Sequence, residues 1–161
     1  MSDRAAGAEE AATGLEWGLF ELRVGPVVRL LRNEMTVRIG EAQAPFGLRF
    51  GALSTMVLVN ANPGCSQADL ARELAIDKSM LVAIVDELES RDLAIRTRSK
   101  EDRRRNSLAL TAEGERVMHA MFAAADSVER PIRDAMTAEE LATLMRLLKR
   151  AYSALTALRD A

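Results

Sequence analysis

Residues 66–111 read SQADLARELAIDKSMLVAIVDELESRDLAIRTRSKEDRRRNSLALT, and this stretch decides the fold. Ser66, with Asp69 three residues on, resembles a capping box ahead of the apolar positions Leu70, Ala71 and Leu74, so a short helix starts here. Asp77 or Ser79 caps a second helix. In that helix Leu81, Ile84, Val85 and Leu88 recur at the spacing of one buried face, which turns Lys78, Ser79, Val82, Ala83 and Asp86 elsewhere. The link Ala75-Ile76 is short enough to make the pair a helix-turn-helix, the arrangement that presents its second helix to a DNA major groove. From Leu93 the period changes to two. Leu93, Ile95 and Thr97 alternate with Ala94, Arg96 and Arg98, and Leu108 and Leu110 alternate after a turn, the pattern of a β-hairpin.

The hairpin carries the charge. Residues 91–105 hold seven basic side chains (Arg91, Arg96, Arg98, Lys100, Arg103, Arg104 and Arg105) against three acids (Asp92, Glu101 and Asp102), a local charge of +4 in a chain whose net charge is −2. A basic finger on an acidic body is the footprint of a protein that offers one surface to a polyanion. A charge run alone reads rather as a solvated loop. Joined to a helix-turn-helix, it points to nucleic acid.

Asp102-Arg103-Arg104, then Leu108, Leu110 and Thr111, followed by Ala112-Glu113-Gly114, resembles the wing signature of the MarR family of winged helix-turn-helix transcription regulators. The preceding VDELESRDL, residues 85–93, is similar to the end of that family's recognition helix and the start of its wing. The match covers about residues 66–114, and the helical pattern on both sides extends it over nearly the whole chain. The resemblance implies a mainly α fold of about six helices plus a two-stranded β-wing. It implies a homodimer, bound to a double-stranded, pseudo-palindromic DNA operator as a repressor and released by a small aromatic or acidic ligand, thioesters included. One departure stands out: Met80, Leu81, Val82 and Ala83 occupy the middle of the recognition helix, where many relatives carry threonines and an arginine.

With few polar groups for base edges, the expected contacts divide into positioning and readout. Ser66, Gln67, Lys78, Ser79, Arg96 and Arg98 position the backbone. Lys78 and Ser79 read base edges together with the wing, Met80, Val82 or Ala83 meets thymine methyls, and DNA shape carries an unusual share of specificity. The resemblance further implies that an arginine of the Asp102-Arg103-Arg104 turn enters the minor groove, with Asp102 holding the guanidinium.

Composition bounds the alternatives. The 161 residues are 48% hydrophobic and only 4% aromatic, a balance that suits helices packed through aliphatic side chains. There is no apolar run of membrane-spanning length and no apolar core in the acidic N-terminus, so no membrane partner is expected and the chain reads as cytoplasmic. Cys65 and His119 are the only residues of their types, which argues against a disulfide and against a metal site. No cofactor is implied. No nucleophile–base or carboxylate pair is spaced for catalysis, so the chain does not read as an enzyme. Cys65, just ahead of a helix N-terminus, could act as a redox sensor, and the apolar recognition helix could serve protein contacts instead of DNA; both are carried as alternatives.

The flanks complete the plan. Residues 1–14 read as a flexible arm, 15–45 and 112–161 as dimerisation helices, and 46–111 as the DNA-binding lobe. A long helix from Leu15 to about Ile39 should kink or break at Val24 to Pro26, and another runs from about Leu48 to Asn60, ending at the Asn62-Pro63-Gly64 turn. Thr111 caps a long helix that Pro131 bends. Thr137 and Glu140 form a capping box ahead of a stripe of Leu141, Leu144, Met145, Leu148, Ala151, Tyr152, Leu155 and Leu158, which needs a second chain to cover it. Trp17, Arg29, Arg32, Arg49, Met56 and His119 are candidates to line a ligand cleft between the dimerisation helices and the DNA-reading lobe.

Overall fold

The computed structural model describes residues 16–98 and 106–157. Six helices and one two-stranded antiparallel sheet are seen among them: α1 (Val24–Gln43), α2 (Ala52–Ala61), α3 (Gln67–Glu73), α4 (Lys78–Ser90), β1 (Ala94–Arg98), β2 (Asn106–Leu110), α5 (Ala112–Asp134) and α6 (Ala138–Thr156). The chain divides into two units, ending and beginning at Glu34 and Met35. Among its described residues the N-terminal unit holds a 3-10 turn, Gly18–Phe20, and the first half of α1. Pro26 does not kink a longer helix. It sits in the first turn of α1, where a missing N–H costs no hydrogen bond, so the chain breaks before Val24.

In the second unit a 3-10 turn, Ala44–Phe46, and the left-handed residues Gly47 and Gly51 separate α1 from α2. Gly51, at φ 90°, sets the start of α2 at Ala52, four residues later than apolar periodicity suggests. Helices α2, α4 and α5 and the base of the hairpin enclose one apolar cluster, with Met56, Ile84, Leu88, Met118 and Met121 at its centre. A second cluster joins α2, α3, α4 and β2 through Val59, Leu70, Leu81, Val85 and Leu108. All four expected inward residues of α4 are buried.

Caps set the helix starts. Asp77, rather than Ser79, is the N-cap of α4: its carboxylate accepts from the Met80 N–H at 2.8 Å. The Ser79 hydroxyl donates to the same carboxylate, and this bond, followed by the Met80 N–H, holds Asp77 below the usual carboxylate range. Ser66 accepts from the Asp69 N–H, and Thr137 and Glu140 form the full reciprocal box at α6. Thr111 accepts from the Gly114 N–H at 2.9 Å and donates to the Asp92 carbonyl at 2.7 Å, joining the start of α5 to the turn that enters the hairpin.

The strand phase differs from the expected one. Asp92 has φ 57°, and this left-handed residue turns the chain so that the strand begins at Ala94, with Leu93 packed into the core ahead of it. Ala94 pairs with Leu110 and Arg96 with Leu108, so these four share the inner face while Ile95 faces out. The hairpin is also stitched to the start of α3. Gly64 N–H donates to Leu108 C=O at 3.0 Å, and Ser66 bridges to Ser107.

Candidate nucleic-acid interface

The outward face of α4 carries Lys78, Ser79, Val82 and Asp86, all exposed. Ser66 and Gln67 lie at the start of α3, and Ser66 is committed to capping. Met80 departs from its expected role. Its side chain is partly buried against the cluster around Ile84, because the helix turns that position toward α2. Val82, at 40% exposure, is the apolar residue left on the outer face.

Arg96 is also corrected. As a phosphate contact it would present a free guanidinium, but Nη2 lies 2.6 Å from Asp86 and Nη1 2.9 Å from Glu89, both on α4. Its backbone N–H donates to Glu89 at 3.1 Å, and with the Gln67 amide turned so that its oxygen faces the guanidinium, Nε and Nη2 donate to that oxygen at 3.0 Å. Arg96 therefore ties β1 to both helices of the helix-turn-helix. Gln67 is drawn into the same knot. Arg98 follows at the end of β1, paired with Asn106, while Asp102, Arg103 and Arg104 lie outside the described residues, as do the N-terminal arm and Leu158.

A second knot locks the other end of α4. Glu87 accepts from Arg49 Nε at 2.8 Å and from the Arg49 backbone N–H at 3.2 Å, and Arg91 reaches it at 3.1 Å while also donating to the Phe46 and Gly47 carbonyls. Burial works to raise the Glu87 carboxyl, but the Arg49 hydrogen bonds and the attraction of both arginines outweigh it and hold it below the ordinary range. Spacing alone did not reveal this clamp, since Arg49 and Glu87 stand 38 residues apart.

Within the second unit, the expected ligand residues do not share one cleft. Met56 is a fully buried core residue, Arg49 is paired to Glu87, and His119 is exposed on α5. Trp17, Arg29 and Arg32 belong to the N-terminal unit. A different set encloses a cleft of about 500 Å³: Ile39 and Gln43 of α1, Phe50 and Gly51, residues of α2 and α3, and Phe122, Ala125, Asp126 and Glu129 of α5. Among the described residues no lysine or arginine lines it, so the arginine fork expected for a carboxylate is not found in the described wall.

Cys65 is half-buried beside Asp69. Burial first, and then the Asp69 charge, push its thiol up against the opposing pull of a backbone hydrogen bond, which leaves it poorly suited to redox sensing. Among the described residues no group of histidine, cysteine and carboxylates could hold a metal ion, and no helix is long and apolar enough to cross a membrane.

Two helices, a stitched hairpin and an outward helix face define a winged helix-turn-helix. Residues 46–105 match the family model described as MarR family. The chain is 30% identical over 133 residues to a transcriptional regulatory protein named for the hcr operon of Thauera aromatica, covering 83% of this chain and 77% of that one. It resembles the structure of the transcriptional repressor CouR bound to a 23-mer DNA duplex at a TM-score of 0.77 and 27% identity, covering 86% of this chain and 98% of that chain. CouR from Rhodococcus jostii RHA1 bound to p-coumaroyl-CoA aligns at a TM-score of 0.72 and 27% identity, over 79% and 90% of the two chains. The chain belongs to the MarR family of transcriptional regulators. It is a winged-helix regulator, not an enzyme.

Proposed function

We propose that the chain is a dimeric repressor that holds a pseudo-palindromic operator and lets go when a small aromatic ligand binds. The observation that carries the DNA reading is the outward face of α4, with Lys78 and Ser79 at its N-terminus, held by Arg96 against a hairpin whose sequence is strongly basic. Residues 46–111 form the reading lobe in this account, and 15–45 and 112–161 the dimerisation helices. Helix α6 supports the division, because it buries no residue within its own chain and leaves Tyr152 and Leu155 at 60% and 69% exposure. The aromatic ligand is supported by the likeness to CouR with its p-coumaroyl thioester.

In this reading Lys78, Ser79 and Val82 face the major groove, Arg98 contacts phosphate, and Arg104 or Arg103, held by Asp102, enters the minor groove. Operator selected from random duplexes and titrated across a salt series provides the test. Arg104→Ala should cost about 1 to 3 kcal/mol in specific binding and flatten the preference for A·T flanks. Arg98→Ala should weaken all sequences alike and lower the salt slope by about one. Unchanged affinity and flank preference in Arg104→Ala would remove the wing from the mechanism and favour a protein-contact role for the exposed Val82 face. Sedimentation as a 17.6 kDa monomer at micromolar concentration would remove the dimer.

A further inference from the structure

The cleft between α1, α2, α3 and α5 has a charge that its ligand must answer. Its walls are apolar, from Leu53, Val57, Leu58 and Leu74, and two phenylalanines flank it, Phe50 at 65% exposure and Phe122 at 54%. Among the described residues its polar lining includes three carboxylates, Glu73, Asp126 and Glu129, and no basic side chain. Arg133 stands outside the lining and offsets part of this charge, lying 2.8 Å from Asp126 and 3.7 Å from Glu129. Among the described residues of one chain, one guanidinium against three carboxylates leaves the cleft negative. At about 500 Å³ the volume is that of an ordinary small-molecule site.

We infer that this cleft takes an aromatic organic cation, an ammonium or amidinium on a flat apolar body, and turns away free aromatic carboxylates. This rests on the proposal that a small aromatic ligand controls the protein, and it assigns that ligand its charge. Exposed phenyl faces and carboxylates attract a cation through the same field: the ring quadrupole offers its negative face, and the carboxylates add Coulombic attraction without requiring one fixed geometry. A free aromatic carboxylate meets like charge there and has no arginine or lysine among the described lining residues to answer it, so the likeness to CouR supports the aromatic body and not the charge.

The test uses three probes with one body: naphthylmethylammonium, naphthylmethanol and naphthoate, titrated calorimetrically into the full chain. The cation should bind about tenfold more tightly than the alcohol, with naphthoate weakest, and the gap between cation and alcohol should narrow as salt rises. Glu73→Gln together with Glu129→Gln should bring the cation down to the affinity of the alcohol while leaving the alcohol unchanged. Leu53→Trp, which fills the cleft, should abolish binding of both. Naphthoate binding as tightly as the cation, no binding by any probe, or a preference untouched by the two glutamine changes would each overturn the assignment. So would a cation that still binds Leu53→Trp, since its site is then elsewhere. Operator titration without probe is read separately: loss of DNA binding there defeats the repressor reading and leaves the charge preference of the cleft standing.

Discussion

The Arg96 guanidinium lies 2.6 Å from the Asp86 carboxylate, tying the first wing strand to the outward face of α4. Because Glu89 and Gln67 engage the same guanidinium, Arg96 holds two helices and a strand in one geometry. Its exposure is partial, so the ion pairs are worth little individually. Arg96→Ala should cost about 1 kcal/mol of stability in chemical denaturation. It should change the salt slope of operator binding by less than Arg98→Ala does, since its charge is already answered. A full unit lost from the slope would return Arg96 to the phosphate contacts.

Glu87 makes the lobe sensitive to acid. Its carboxyl is held below its ordinary value of 4.5 in the folded chain. A lowered folded value means that the stabilisation is fully present above the ordinary value and is lost as pH falls through the lowered one. The difference in Tm between the wild type and Glu87→Gln should therefore be constant from neutral pH down to about 5 and shrink below it. A difference that grows toward acid would contradict the clamp.

Two glycines in helices should respond in opposite directions. A methyl group at Gly114 would collide with the Leu93 carbonyl, which is backbone and cannot swing aside. Gly114→Ala should cost about 3 kcal/mol or more, or prevent folding. Around Gly40, in α1, there is open space. Gly40→Ala should be stabilising by about 0.4 to 1 kcal/mol through reduced freedom of the unfolded chain. Equilibrium denaturation of both variants decides the matter.

Cys65 should be a poor sensor. With its thiol pushed up by burial, reaction with a disulfide reagent at neutral pH should run slower than that of an unhindered thiol such as glutathione. Cys65→Ser should retain operator under peroxide to the same degree as the wild type. Oxidant-dependent release that disappears in the serine variant would restore the redox alternative.

The parts of the fold legible in the sequence are those set within a few residues. The buried face of α4, the caps at Ser66, Asp77, Thr111 and Thr137, and the change to strand period all depend on neighbours no more than a turn or two away. Pro26 was ambiguous because a proline that breaks a helix and one that begins it carry the same local signal. The strand phase slipped by one residue because nothing in the apolar pattern announces a left-handed Asp92. At the site, Arg96 was legible as a charge but not as a paired one. Its partners are brought under it by the packing of β1 on α4. The cleft was least legible of all, since its lining comes from four helices separated along the chain, and periodicity reports only which side of a helix is apolar.

Helix α6 begins with a complete capping box and then fully buries no residue among the described residues of its own chain. A cap fixes where a helix starts and contributes little to keeping the rest of it wound. In the proposed dimer, where a second copy covers the stripe, the order of α6 then depends on how much protein is present. Amide protons near Leu148 should exchange quickly in dilute solution and slowly in concentrated solution, while those near Leu88, sealed inside one lobe, ignore dilution. On that proposal the protein carries a gauge of its own abundance: a newly made, unmatched copy is the one most open to proteolysis, and each copy that finds cover is spared.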